Sequence, residues 1–156
     1  MERKIFNIAC LFCILSVVAF AYSGEVANVP NPWTDCGRDF VCAQEISGID
    51  FNVSLAEIDV RAMQDMVEIK TVDNDNQIVL RKSLPLADNQ DNSGDYNQYK
   101  QTEPSAFNPN ITLRKNDDLI YVMFFTENGY RYSLGCNKGL TIQQAQHYYN
   151  LMTDKL

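Results

Sequence analysis

The residues of this chain that could do chemistry are few and poorly grouped. His147 is the single histidine. A nucleophilic triad needs an imidazole held between a nucleophile and a carboxylate. Helical periodicity puts His147 opposite Ile142, Ala145, Tyr149 and Met152, on an exposed face, and no spacing brings Ser133 or Cys136 to it. Carboxylates are plentiful, and a glycosidase needs only two of them. Glu57, Asp59, Glu68 and Glu127 stand on strand-like segments, where alternation turns most polar positions toward water. Asn89, Asp91 and Ser93, followed by Gly94, resemble the start of a calcium loop, but the twelfth position holds Lys100 instead of a bidentate glutamate. That loop and the pair Asp73 and Asp75 read as solvated turns. No catalytic residue, metal ligand or cofactor is expected.

The cysteines carry more information. Cys10 and Cys13 fall inside an apolar leader, which leaves Cys36, Cys42 and Cys136. An odd number leaves at least one thiol unpaired or intermolecular. A bridge between Cys36 and Cys42 would staple the segment before the first helix to that helix. The rival pairing ties one of them to Cys136 and locks both helices to the sheet. The short bridge is preferred. Asn52 and Asn110 match the glycosylation acceptor pattern, which is met by chance as readily as by design.

The leader decides the compartment. Arg3 and Lys4 precede an almost wholly apolar run from Ile5 to Phe20, and small residues follow at Ala19, Ala21 and Ser23. This is a secretory signal with a small-x-small cleavage site. Its removal would leave no stable membrane anchor and would place the protein in the cell envelope or outside it, where disulfides form. The full chain carries 13 basic and 20 acidic residues; loss of Glu2, Arg3 and Lys4 takes these to 11 and 19, a net charge of −8. An acidic surface without a basic stripe is a poor nucleic-acid binder.

The chemistry must therefore be positioned by one small domain. Residues 1–23 read as signal, 24–38 as an extended lead-in docked by Trp33, and 39–156 as a single α+β domain. Asp39 caps a short helix carrying Phe40, Ala43 and Ile46, and Gly48 stops it. Ile58, Val60 and Ala62, then Val67, Ile69 and Thr71, then Ile78 to Leu80 read as strands, with a polar hairpin loop at residues 73–77. Residues 84–99 are polar and turn-rich and read as a long exposed loop. Strands resume near 99–103 and 111–114. Asn128-Gly129 is the favoured pair for a type I′ turn, setting Phe125 opposite Tyr132 and Met123 opposite Leu134. Thr141 and Gln144 form a capping box for a final helix. The fold expected is an antiparallel β-sheet with the two helices packed on one face. Its other face would then present Ile120, Val122 and Phe124 as a ligand groove or partner surface.

Residues 39–51 (DFVCAQEISGIDF) and 125–152 (FTENGYRYSLGCNKGLTIQQAQHYYNLM) resemble the two ends of a family of extracytoplasmic domains of unknown function. Such domains sit at the outer end of anti-sigma-factor-like membrane proteins and also occur as free exported proteins. The shared motifs are a turn, an aromatic strand and a helix cap, and the family brings no catalytic residues. The role expected is that of a non-catalytic binding or sensing domain, with an unknown protein or a small apolar ligand as partner on the face of Ile120, Val122 and Phe124. The alternatives are a small hydrolase of envelope polymers working through strand carboxylates and a secreted inhibitor or interaction factor.

Overall fold

The computed structural model describes residues 32–85 and 91–155; the signal segment 1–23, residues 24–31 of the lead-in, residues 86–90 with Asn89 of the calcium-like loop, and Leu156 lie outside these. From Trp33 onward the described residues form an α+β fold of eight strands and two helices.

The strands are β1 (Thr34–Gly37), β2 (Asp59–Met63), β3 (Met66–Asp73), β4 (Asn76–Ser83), β5 (Gln101–Pro104), β6 (Thr112–Asn116), β7 (Leu119–Glu127) and β8 (Tyr130–Leu140). They make one sheet in the order β1-β2-β3-β4-β8-β7-β6-β5, antiparallel throughout. Two meanders thus meet at the β4–β8 pair. The β7–β8 hairpin turns on Asn128 (φ 52°) and Gly129 (φ 78°), the two left-handed residues of a type I′ turn. Its register sets Phe125 opposite Tyr132 and Met123 opposite Leu134.

Helix α1 (Phe40–Ser47) starts where the Asp39 carboxylate accepts from the backbone N–H of Val41 and Cys42, and ends at Gly48 with φ 71°. Helix α2 (Ile142–Met152) carries the full Thr141–Gln144 capping box. One hydrophobic core gathers residues of both helices, Ala43, Ala145 and Tyr149 among them, with alternate strand residues such as Val60, Ile69, Leu80 and Leu134. Among the described residues no helix is long and apolar enough to cross a membrane.

Two features depart from the period-two reading. The pairing of β7 with β8 shifts register between Ile120 and Val122. A bulge reverses the alternation, so Ile120 is 1% exposed within the core, while Val122 is buried outside that cluster. Ile120 therefore leaves the face of Phe124, and Val122, which stays on it, is covered. The other departure is residues 91–99, which are not uniformly exposed: Asn92 and Ser93 are buried. Topology explains this. The chain leaves β4, fourth in the sheet, and must enter β5, eighth. At about 4.8 Å per strand that is roughly 19 Å across the sheet.

Cys36 and Cys42 lie at disulfide distance, with S–S 2.04 Å across six residues, and Cys136 is free. Closing so short a loop contributes about 2 kcal/mol. Cys36→Ser combined with Cys42→Ser should lower urea-unfolding stability by that amount. No change would mean that the bridge does not form in solution.

Candidate functional site

The site lies on the side of the strands opposite the core cluster. Alternation along β2, β3 and β4 sets Arg61, Glu68 and Arg81 in one cross-strand row, which continues through Ser133 of β8 and Phe124 of β7. The Glu68 side chain is fully buried. It accepts from Arg61 Nε at 2.5 Å and from Arg81 Nε at 2.7 Å, with Lys70 Nζ 3.7 Å away. Burial alone would raise its carboxyl, but Arg61 and Arg81 outweigh that and hold it below its ordinary value. Trp33 stacks on the cluster, with its ring centroid 4.6 Å from Arg61 Cζ and 5.7 Å from Arg81 Cζ.

Residues 91–99 form a strap over this row. Arg81 Nη1 donates to the Asn92 carbonyl at 2.9 Å. The Asn92 amide donates to Ser83 Oγ at 2.8 Å and to the Arg131 carbonyl at 3.2 Å. Arg114 pairs with Asp91 at 2.7 Å, donates to the Asp95 carbonyl at 3.3 Å and lies 5.1 Å over the Phe124 ring. Gly94 has φ +68°, and a Cβ there would run into the Arg81 guanidinium. The strap can approach so closely only without a side chain. Tyr99 donates its hydroxyl to Asp95 Oδ2 at 2.5 Å, and the Asn97 N–H donates to Oδ1 at 2.8 Å. Burial, with Asp95 beside it, pushes the Tyr99 phenol up to about 12.

Between strap and strands runs a groove of about 430 Å³, within the range of ~300–1,000 Å³ typical of small-molecule sites. Its floor holds Arg61, Lys70, Val79 and Gly135, and its rim Tyr96, Asn97, Gln77 and Asn137. Nothing lies within 4 Å of a Cβ built on Gly135, so the floor is open there. A neighbouring hollow of about 480 Å³, lined by Arg38, Glu57 and Asp59, shares Lys70, Gln77 and Val79 with it.

The residues named from sequence as chemically capable are scattered by comparison. Ile120 and Val122 are buried and Phe124 lies beneath Arg114, so the three form no apolar groove. Glu57 and Asp59 are exposed, Glu127 pairs with Lys155 at 2.5 Å, and Glu68 faces no water at all. Asp91, one of the calcium-like positions, accepts from the Ser93 N–H and hydroxyl and pairs with Arg114. Among the described residues no cluster of His, Cys, Asp and Glu could hold a metal ion. His147 is exposed, edge-on to Tyr148 at 5.8 Å. Cys136 donates to the Ile120 carbonyl at 3.3 Å, and burial pushes its thiol up to about 11.

A further cavity of about 500 Å³ lies by Asp50, Tyr130 and Asp154, with Lys82 in its wall. Lys82 Nζ donates to the Asp50 carbonyl at 2.6 Å and sits 4.4 Å from the Tyr130 ring centroid. The lysine is thus already partnered by the groups that would receive a cationic ligand. No protein-family model matches the chain, nor does any curated protein or solved structure.

Glu68 generates the sharpest prediction of the site. Glu68→Gln leaves two arginines without their counter-ion and should cost about 3 kcal/mol, the low end for breaking a buried pair because the Arg61 side chain keeps 30% exposure. The folded carboxyl lies below its ordinary value of 4.5. Its contribution is therefore complete above that pH and fades as pH falls through the folded value. Urea midpoints measured between pH 3 and 7 should fall on acidification for wild type and flatten in the variant. Parallel curves would show that Glu68 is not the titrating group.

Proposed function

We propose that this chain is an exported, non-catalytic binding or sensing domain, with both helices packed on one face of the sheet and its ligand taken on the other, in the groove under the strap. The observation that carries this reading is the preorganised floor. Arg61 and Arg81 are fixed by a buried carboxylate and by Trp33 before any ligand arrives, and fixed partners bind without a large ordering cost. The signal-like leader and the resemblance of residues 39–51 and 125–152 to extracytoplasmic domains support the same role and an envelope or extracellular location. The groove is lined by charged and amide groups, so a polar ligand fits it better than the apolar one expected from sequence.

The electrostatics argue against the hydrolase alternative. A carboxyl acting as general acid needs its pKa raised, whereas Glu68 is held low. Glu127 is tied to Lys155 and to the Tyr149 hydroxyl at 3.0 Å.

Gly135→Leu tests the location. The side chain has free space to enter, away from the core. In a thermal-shift screen of the mature protein against a metabolite library, compounds that raise the wild-type Tm by several degrees should lose that shift in Gly135→Leu. Shifts that survive the substitution would put the ligand elsewhere.

A further inference from the structure

We infer that the groove under the strap recognises a sugar bearing one carboxylate, a ligand of the uronic-acid type; this deepens the binding-domain reading and rests on it. Charge balance comes first. Three cations surround one carboxylate, and Lys70 Nζ, 3.7 Å from Glu68, lies outside hydrogen-bond reach with its side chain 45% exposed. Arg61 engages Glu68 through Nε, and its side chain keeps 30% exposure. The floor thus offers charged donors to an incoming anion, the pairing in which hydrogen bonds are strongest.

The remaining groups narrow the anion. Both oxygens of Asp95, the carboxylate of the rim, already accept, one from Tyr99 and the other from Asn97. Glu68 is wholly buried between Arg61 and Arg81. With Arg61, Arg81 and Lys70 set against Glu68 and Asp95, the lining keeps an excess of positive charge, which favours a ligand of net negative charge over amino acids and other zwitterions. The rim instead supplies amides: Gln77, Asn97 and Asn137. Asn137 accepts from the Gln77 N–H through Oδ1, so its NH₂ remains to donate. Amides that donate and accept suit neighbouring hydroxyls.

Tyr96 is 95% exposed on the strap beside the groove. An aromatic ring with a negative face receives the positively polarised C–H groups of a sugar ring, and among the described residues no ring or cation contact engages it. The open floor at Gly135 leaves room for the ring plane below it. Finally, the chain as a whole carries net charge −7. A polyanion would meet repulsion beyond the local cations, whereas one carboxylate would not.

The test is saturation-transfer NMR and calorimetry on the mature protein, with D-glucuronate, D-glucose and inorganic phosphate as probes. Glucuronate should bind roughly tenfold or more tightly than either comparator, the scale of one charge-assisted contact. Lys70→Gln and Tyr96→Ala, both at exposed positions, should each weaken it by a similar factor with Tm unchanged. Equal binding of glucose would remove the role of the carboxylate, and equal binding of phosphate would remove that of the sugar. Should glucuronate fail while a screening hit is lost in Gly135→Leu, the ligand class is wrong and the site stands. A hit that survives Gly135→Leu sinks both.

Discussion

The side of the sheet away from the core depends on one buried carboxylate. Glu68 sits between Arg61 and Arg81 in adjacent strands, with Lys70 near by. A lone buried carboxylate would neutralise itself by taking a proton. Two guanidiniums prevent this, and the same contacts hold those guanidiniums beside Glu68. One carboxylate cannot balance three cations, so positive charge is left over. The strap answers part of it through the carbonyl of Asn92 on Arg81. Asp91 does the same for Arg114 further along the sheet. A polar segment with little apolar surface of its own thereby gains fixed partners, and Gly94 lets it lie close enough to use them.

The strap's route is set by topology before any side chain acts. In a simple eight-strand meander, β4 would be joined to its neighbour by a tight turn. Here β8 takes the place beside β4 and β5 lies at the far edge. The connection must cross, and crossing exposes it either to solvent or to the sheet. The arginines settle the choice in favour of the sheet. The same insertion of β8 places Gly135 and Asn137 beside the β3–β4 residues of the groove. The candidate site therefore exists only because two meanders share a central pair.

Much of the local structure was legible in the sequence, because local signals have local causes. Asp39, Gly48, Thr141 with Gln144, and Asn128-Gly129 each act within a few residues of themselves, and each takes the expected place. The site was not legible for the opposite reason. Period-two alternation assigns Glu68, Arg61 and Arg81 to solvent because polar residues on one side of a strand usually meet water. Nothing within β3 shows that residues more than twenty positions away will cover it. Ile120 was misplaced by one bulge, which no residue type in β7 announces. β1, only four residues long, was hidden in a segment read as an extended lead-in. The pairing of β4 with β8 joins residues as far apart as Ile78 and Cys136, a distance at which periodicity carries no information.

The acidic surface and the cationic groove fit together once screening is considered. At physiological salt the field of exposed charges decays over about 8 Å. Within that distance of the outer surface an approaching molecule meets the net negative chain; inside the groove it would meet Lys70 and the arginine pair, whose fixed geometry strengthens each contact. Long anionic polymers would lie across both regions and feel the repulsion along most of their length, whereas a small ligand with one charge would feel mainly the groove. On the proposed reading the excess of acidic residues would act as a filter on ligand size and charge, and the buried Glu68 holds Arg61 and Arg81 in place behind it.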